Sequence, residues 1–426
     1  RLEAELKEKL QVYTESLSRG EIEKLVADTK HLQEYQEEPS SQEDLEKIPM
    51  LTRADISREI APIYNEEMKI ADIPMVFHEI ETNGIGYLDL MFDLSDVPEK
   101  DLPIVGLLQA VLGIIDTEHY EYGELFNEIN RHTGGIGTSL ELYTDVTKVK
   151  EKEFRATFEI KGKAFHAHLK DAMELTAEML VRSNYTDTKR LYEILTELKS
   201  RLQSSMISAG HTIAAGRAMS YTSETVAIQE ILSGMDFYRL VDGLCTNWDE
   251  EKEKLPEILK RLSECMFRPE NLMFDFTAEE EDQEKLFEAE AKALKKALFT
   301  CPVDREPVHA AVSKKNEGFL SASQVQYVCR AGNYKKNGLE YTGVLRMLRG
   351  ILNTDYLWNT VRVKGGAYGC MCSFGKSGDA YIASYRDPNL GKTIEAYEGI
   401  EQNVAQFAGE ERSMTQAVNG TDSEMD

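Results

Sequence analysis

The stretch GYLDLMFDL, residues 86 to 94, alternates apolar and polar side chains along its length. Successive side chains of a β-strand point to opposite faces, so this period of two predicts a strand with one buried face. The expected buried residues are Leu88, Leu90, Phe92 and Leu94. The stretch EFRATFEIKG, residues 153 to 162, repeats the pattern with Phe154, Ala156, Phe158 and Ile160. Two such strands predict a sheet that is covered on one side.

Helical periodicity lies between and beyond these strands. Apolar residues from Phe165 to Leu180 recur at the spacing of one helix face, which predicts a helix over residues 164 to 181. Strands that alternate, instead of running as continuous apolar segments, are typical of antiparallel sheets. The sequence therefore predicts an α+β fold in which antiparallel sheets pack against helices.

The opening residues predict a helical hairpin. Apolar residues recur at helical spacing from Leu2 to Leu17 and again from Ile22 to Tyr35, with Gly20 as the predicted break. The polar segment 37–49 is bounded by proline and predicts a connector. We therefore assign residues 1–53 to a hairpin linker. Because the chain opens as a charged helix without a hydrophobic signal region, we expect it to begin within a longer protein.

Composition excludes several classes of partner. The chain has 426 residues, 49 of them basic and 75 acidic, for a net charge of −26. This charge repels phosphate backbones and anionic lipid, so we expect neither nucleic acid nor membrane as a partner, whereas basic peptides suit it. The most apolar stretch, residues 104 to 115, is too short to span a bilayer. The six cysteines show no CxxC spacing, which indicates a reducing compartment instead of a disulfide framework.

Two short segments recur in the same order along the chain. GIIDT at 113 to 117 is echoed by GILNT at 350 to 354, and RHTGG at 131 to 135 is echoed by RVKGG at 362 to 366. The two offsets are nearly equal, which favours an internal duplication. The second copy is then shorter than the first, and we expect it to be incomplete at its C-terminal end.

The stretch VRVKGGAYG, residues 361 to 369, holds the candidate site. Paired glycines let backbone approach a ligand closely, and a guanidinium and a phenol are donors suited to a carbonyl oxygen that becomes negative. We therefore predict catalytic roles for Arg362 and Tyr368, and substrate binding by Gly365, Gly366 and Ala367. The alternative is structural: the glycines make a turn, and Tyr368 begins a strand with its ring half buried. In the first copy the arginine and both glycines recur, but Gly137 stands opposite Tyr368.

Other motifs fail on spacing. None of the eight histidines belongs to an HxxEH or HExxH motif, and His166 and His168 are two apart, so we predict no metal site in this chain. PNLGKT, residues 388 to 393, ends like a phosphate loop, but Arg386 occupies the position that requires glycine. No serine or cysteine lies in a GxSxG pattern.

Several segments together resemble the C-terminal half of presequence proteases, which belong to the pitrilysin and insulin-degrading superfamily of inverted-motif zinc peptidases. The resemblance covers nearly the whole chain. The segments are RVKGGAYG (362–369), SYRDPN (384–389), HEIETNGIGYLDLMFDL (78–94), DTEHYEY (116–122), TGGIG (133–137) and the hairpin ending in EKIPMLTRADI (46–56).

The resemblance implies an architecture. Such enzymes have four homologous α+β domains in two halves, which are joined by a helical hairpin and close around a peptide. Residues 1–53 are then the hairpin, residues 54–300 the third domain, and residues 301–426 an incomplete fourth domain. In the family, HxxEH and a distal glutamate bind zinc in the first domain, and no residue of this chain matches them. Zinc is therefore expected in an N-terminal half, the partner of this chain.

The resemblance also implies a function. An arginine and a tyrosine of the C-terminal half bind the substrate backbone and stabilise the oxyanion, and these roles fall on Arg362 and Tyr368. The expected protein is a zinc metalloendopeptidase that degrades unfolded peptides in a closed chamber, and this chain alone is expected to be inactive. Two alternatives stay open, a non-catalytic assembly subunit and a peptide-binding module. The expected location is the bacterial cytoplasm, with an organelle matrix as the alternative.

Overall fold

The computed structural model describes residues 2–38, 41–56, 59, 62, 64–147, 154–279, 281–300, 309–407, 409 and 411–422. The chain divides into two compact units, residues 1–57 and 58–426. The division of the chain into domains at residues 53 and 300 stays a prediction, and its second boundary meets residues 301–308, outside the described ranges.

The first unit is helical. Its helices are α1 (Leu2–Ser16), α2 (Arg19–Glu37) and α3 (Gln42–Lys47). The prediction that Gly20 separates the first two helices was wrong, because the break lies at Leu17 and Ser18. The Ser18 side chain accepts a hydrogen bond from the Glu21 backbone while Glu21 accepts one from the Ser18 backbone, and this capping box starts α2 one residue before Gly20. The predicted connector contains the short helix α3.

The second unit contains nine strands among the described residues. They are β1 (Glu66–Ile70), β2 (Ile73–Glu79), β3 (Ile85–Asp93), β4 (Ile136–Thr144), β5 (Phe154–Phe165), β6 (Leu272–Ala278), β7 (Cys329–Asn333), β8 (Gly369–Phe374) and β9 (Asp379–Tyr385). Six of them form one sheet in the order β1-β2-β6-β3-β5-β4, in which only the β2–β6 pair is parallel. The other three form an antiparallel sheet in the order β7-β9-β8.

Helices occupy most of the remaining described chain. They are α4 (Leu102–Val111), α5 (Tyr122–His132), α6 (Leu169–Val181), α7 (Thr188–Ser208), α8 (Gly210–Ser220), α9 (Glu224–Ser233), α10 (Met235–Thr246), α11 (Trp248–Glu251), α12 (Leu255–Met266), α13 (Glu281–Ala297), α14 (Val344–Ile351), α15 (Gly391–Glu398), α16 (Ile400–Gln406) and α17 (Glu411–Asp422). After α14 the helix continues as two π-helical segments, Leu352–Tyr356 and Trp358–Lys364. Within the described ranges, no helix has the length and apolar character needed to cross a membrane. The α+β prediction is confirmed.

The six-stranded sheet buries one face as its alternation predicts. Leu88, Leu90 and Phe92 of β3 and the following Leu94 are all buried, as are Ala156, Phe158 and Ile160 of β5. Register places Phe92 opposite Phe158 and Leu90 opposite Ile160. The predicted helix over 164–181 began too early, because β5 pairs with β3 as far as Phe165, whose side chain is exposed. A short 3₁₀ turn, His166–His168, leads into α6.

The smaller sheet repeats part of the larger one. The order β7-β9-β8 matches β3-β5-β4 in sequence order and in antiparallel pairing, and each middle strand precedes a helix, α15 or α6. In both copies a helix ends at paired glycines before the next strand. The GIIDT and GILNT segments are less alike, because the first lies in the turn after α4 and the second within the helix that runs from α14 into its π segment.

Close helix packing holds the larger unit together. At Gly106 of α4, a Cβ would overlap the Leu232 carbonyl oxygen of α9 and lie 2.9 Å from a ring carbon of Phe237 on α10. Gly243 of α10, by contrast, has open space where its Cβ would be. Both glycines lie inside helices, so alanine changes the helix propensity in the same way at both sites. Only at Gly106 does it also introduce a steric overlap, so comparing the two substitutions isolates the effect of packing.

We predict that Gly106→Ala destabilises the protein and that Gly243→Ala stabilises it slightly. Overpacking costs about 1–3 kcal/mol, whereas alanine gains about 0.5–1 kcal/mol over glycine in a helix interior. The thermal unfolding midpoints of the two variants and of the parent protein check whether the first variant is less stable and the second more stable. A Gly106→Ala protein as stable as the Gly243→Ala protein would contradict the close packing of α4 against α9 and α10.

Candidate functional site

The candidate site is built at the junction between the second π-helical segment and β8. Arg362 lies in that segment, and the chain turns at Gly365 and Gly366 before β8 begins. Gly366 has φ +80°, a left-handed conformation that favours glycine, and its N–H donates to the Arg362 carbonyl at 2.9 Å. The junction therefore ends the helix and brings the backbone of Tyr368 back toward Arg362.

Gly365 is required by a close backbone approach. A Cβ at this position would overlap the Val361 carbonyl oxygen of the preceding turn. The Gly365 carbonyl accepts a hydrogen bond from the Asn389 side chain at 2.5 Å. Asn389 is itself held by the buried Asp387, which accepts a backbone hydrogen bond from Asn389 and a hydroxyl hydrogen bond from Thr393. The SYRDPN segment thus fixes the glycine turn.

Arg362 is positioned on two sides. Its Cζ lies 3.8 Å from the centroid of the Trp358 ring, one helical turn earlier, and its Nε donates to the Tyr368 carbonyl at 3.0 Å. No hydrogen bond from the described residues reaches its two Nη atoms. The guanidinium is therefore oriented while most of its donors stay available to a ligand.

Tyr368 is 70% exposed, so its ring is not half buried as the structural alternative expected. Its backbone N–H donates to the Tyr385 carbonyl at 2.9 Å, and its ring meets the Tyr385 ring edge-on with centroids 5.8 Å apart. Within the described chain its hydroxyl has no hydrogen-bond partner. The Tyr385 ring thus supports the Tyr368 ring, while most of Tyr368 is exposed.

Tyr385, which contacts Tyr368, is itself in contact with two further aromatic side chains that no local sequence signal marks. The Tyr385 ring contacts His211 at 4.8 Å and Tyr327 at 5.8 Å between centroids. Tyr327 lies against Gly210, where a Cβ would overlap its ring, and its hydroxyl donates to the Ile207 carbonyl. Burial lowers the pKa of His211. These contacts join α8 to the smaller sheet; among the three, only Tyr385 lies in a segment quoted for the resemblance.

The predicted site residues occupy one short segment. Arg362 and Tyr368 lie together, Gly365 and Gly366 form the turn between them, and Ala367 buries its side chain in the core of the smaller sheet. Ala367 therefore offers a ligand only its backbone. The catalytic and substrate-binding roles of these residues stay predictions.

A second polar cluster lies on the face of the larger sheet that is opposite its core. Asp89 of β3 faces Lys161 and Glu159 of β5, and the Tyr143 hydroxyl donates to Glu159 at 2.7 Å. Lys161 Nζ lies 2.9 Å from Glu159 and 3.5 Å from Asp89. Burial, together with the charge of Glu159, raises the pKa of Asp89 to about 7. Two carboxyl groups thus share one ammonium group.

One group of side chains among the described residues has the arrangement of metal ligands, namely His132, His168 and Asp171. The sequence alone does not reveal this group, because His132 and His168 lie far apart along the chain, and only the packing of α5 on α6 brings them together. The group does not fit the zinc site of an inverted-motif peptidase, because it has no glutamate placed between two histidines as in HxxEH.

Comparison with known proteins places the chain in a family. A family model for the domain associated with subfamily C of the M16 peptidases matches residues 1–244, and one described as "PreP C-terminal domain" matches residues 316–426. The chain is 38% identical to "Protein HypA" of Clostridium perfringens over 98% of its own length and 42% of that protein. It is 27% identical to "Presequence protease 1, chloroplastic/mitochondrial" of Arabidopsis thaliana over 100% of its own length and 39% of that protein.

The fold has a solved counterpart. A crystal structure of a "peptidase M16 inactive domain" from Pseudomonas fluorescens superposes with a TM-score of 0.54 at 13% identity, over 85% of each chain. The fold is thus that of an M16 inactive domain. The chain belongs to the pitrilysin (M16) family of peptidases and corresponds to the C-terminal half of such a protein. It spans about two fifths of the length of the curated relatives it matches.

We predict that Asp89→Asn stabilises the protein above pH 7. The unfolded carboxyl ionises near pH 4, but the folded one keeps its proton to about pH 7, so folding stability falls as pH rises through that window. Asparagine removes this penalty. At pH 8 we expect the substitution to raise the free energy of unfolding by an amount on the order of 1 kcal/mol. This is less than the pKa shift would give if it were converted in full, because solvent screens the charges. Near pH 4 we expect little gain.

Thermal unfolding of both proteins between pH 4 and pH 8 measures this effect. Glu141→Gln is the matched control, because Glu141 is more exposed and lies 3.9 Å from the same Lys161. We expect the control to change stability little. A constant difference between Asp89→Asn and the parent protein across the pH range would contradict the raised pKa.

Proposed function

We propose that this chain is the substrate-binding half of a zinc metalloendopeptidase that degrades unfolded peptides in a closed chamber. The observation that carries the proposal is the junction at Gly365 and Gly366, which brings Arg362 and Tyr368 together with unused donors. A buried structural pair would have its donors satisfied by protein groups. Donor groups that the protein orients but does not pair are suited to bind the carbonyl oxygen of a ligand.

The two side chains have different parts in the proposed mechanism. Arg362, held by the Trp358 ring and the Tyr368 carbonyl, presents its Nη donors to the backbone carbonyls of an extended peptide. Tyr368 places its hydroxyl where it donates to the carbonyl oxygen under attack, whose negative charge grows as the tetrahedral intermediate forms. Because that hydrogen bond strengthens in the transition state, Tyr368 acts on kcat.

We infer the substrate class from the net charge of the chain and from the exposed position of the donor pair. The net charge of −26 attracts basic peptides and repels nucleic acid and anionic membranes. A folded protein offers few extended segments to a donor pair at a helix–strand junction, so an unfolded peptide is the substrate we infer. Relatives named presequence proteases support this class.

The zinc of such an enzyme is assigned to the N-terminal half, because this sequence has no HxxEH motif. The N-terminal half of the same protein is therefore the partner that completes the site. We propose a bacterial cytoplasmic location, with an organelle matrix as the alternative. The five described cysteines are free thiols, which suits a reducing compartment.

Tyr368→Phe in the intact enzyme tests the proposed oxyanion role. We expect kcat to fall by about 10²–10³-fold, as for loss of one oxyanion donor, with a smaller change in KM. Steady-state hydrolysis of a quenched fluorescent peptide measures both constants. Tyr122→Phe is the control, because it removes another exposed phenol hydroxyl and should leave both constants unchanged. Unchanged kcat in Tyr368→Phe removes this residue from the mechanism.

A split-enzyme experiment tests the assignment of the two halves. We expect this chain with added zinc to leave the fluorescent peptide intact, and hydrolysis to start only when the separately produced N-terminal half is added. The missing zinc motif is the physical reason. Hydrolysis by this chain alone would overturn the assignment.

The two alternative functions give different results in the same assays. A non-catalytic assembly subunit would leave the peptide intact even as a folded pair with zinc bound to the N-terminal half. A peptide-binding module would bind extended basic peptides saturably without cutting them. The open donors of Arg362 and Tyr368 suit a ligand and so argue against the assembly subunit; hydrolysis separates the peptidase from the binding module.

A further inference from the structure

We propose that His132, His168 and Asp171 form a binding site for Zn²⁺ or another late first-row divalent metal ion. The site lies where α5 ends, where the 3₁₀ turn after β5 ends, and in the first turn of α6. This inference is independent of the peptidase assignment, because it uses none of the residues at the Arg362 junction.

The donor atoms converge. One ligand atom from each of the three residues lies within 4.8 Å of the other two. The Nδ1 atom of His168 lies 2.7 Å from Asp171 Oδ2, and the Nδ1 atom of His132 lies 3.4 Å from the same oxygen. Tetrahedral zinc with nitrogen and oxygen ligands separates its donors by about 3.3 Å. Small side-chain rotations therefore bring all three donors to bonding distance.

One donor is buried and unused. The Nδ1 atom of His132 is shielded from solvent, and no described residue makes a well-oriented hydrogen bond to it, although Asp171 is near. A buried polar atom without a partner costs free energy, which a metal bond would offset. The opposite ring nitrogen, Nε2, lies 3.3 Å from Glu128 Oε2. A carboxylate behind a histidine orients the ring and makes it a better ligand.

Glu128 is itself held in place. Its Oε1 atom accepts a hydrogen bond from Arg131 at 2.6 Å, one turn later on α5. The chain therefore supplies an outer layer of support, from Arg131 through Glu128 to His132. RHTGG, the repeat segment that contains Arg131 and His132, has no part in the proposed peptidase function. In the second copy, valine stands in place of His132.

The surroundings attract cations and leave room for further ligands. A cavity of about 580 Å³ opens beside the group between α5, α6 and α13, and His132 and Asp171 line it. Five carboxylates line the same cavity, against a single arginine, and that arginine pairs with one of them. The carboxylates are Glu128, Asp171, Glu174, Glu178 and Glu290. Open coordination positions would face this cavity.

The donor set selects the class of metal. Imidazole nitrogen suits zinc, nickel, copper and iron, whereas Mg²⁺ and Ca²⁺ prefer sites made of oxygen alone. Two imidazoles with one carboxylate therefore favour a late first-row ion. The three protein ligands leave at least one position for water, as in sites that are not closed.

Metal titration of the 426-residue chain tests the proposal. The chain is stripped with EDTA, returned to chelator-free buffer and titrated with Co²⁺, whose visible absorption reports its ligands. We expect one equivalent to bind with bands typical of four or five coordination, and Zn²⁺ to displace it. Excess Mg²⁺ or Ca²⁺ should leave the bands in place. Failure to bind Co²⁺ or Zn²⁺, or displacement by Mg²⁺, overturns the proposal.

Variants assign the site to these residues. We expect His132→Ala and His168→Ala each to weaken Zn²⁺ binding by more than about 100-fold, and Glu128→Gln to weaken it by about 10–100-fold. His309→Ala is the matched control, because His309 also contacts one carboxylate, Glu224, but has no second histidine beside it. Binding that survives in the His132→Ala, His168→Ala double variant places the metal elsewhere and overturns the assignment.

A measurement on the unaltered chain covers the case in which a variant does not fold. X-ray absorption at the zinc edge of the loaded chain should show two imidazole ligands with additional light-atom donors. A spectrum without imidazole scattering overturns the proposal. Circular dichroism of each variant checks its folding before its affinity is compared.

Discussion

The constraint on which the larger unit depends is the two-sided character of its central strands. Along β3 and β5 every second side chain is apolar, and the pleat sends all of these to one face, where Phe92 meets Phe158 in register. A one-residue slip would bury Asp89 and expose Phe92, so the register is strongly specified. The helices cover the apolar face, and the polar face keeps its carboxylates.

Both copies contain the same kind of junction between a helix and a strand, and the candidate site residues lie at it. In each copy a helix ends at paired glycines, and the second glycine has positive φ, +109° at Gly135 and +80° at Gly366. The strand that follows is an edge of its sheet. In the first copy this junction presents His132, and in the second it presents Arg362 and Tyr368. The same helix–strand junction thus carries different side chains in the two copies.

Electrostatics distinguishes Arg362 from most of the other described arginines. The chain is strongly acidic overall, and most of its described arginines are engaged by carboxylates. Arg217, for example, contacts Glu230, Asp236 and Glu317. Arg362 differs because it is held by a ring and a backbone carbonyl, which leave its charge uncompensated. An oriented guanidinium that no carboxylate of the described residues engages suits the carbonyl or oxyanion of the proposed mechanism.

The sequence by itself determined the α+β class, the buried face of β3 and β5, and the segment that holds Arg362 and Tyr368, because period-two alternation and paired glycines are local signals. It misplaced the start of α6, because Phe165 fits a helical spacing while its backbone is paired to Ile85. Only the tertiary structure decided that Tyr385 contacts both Tyr368 and His211, and that His132 meets His168. Such contacts join residues distant in the chain, and no local pattern encodes them.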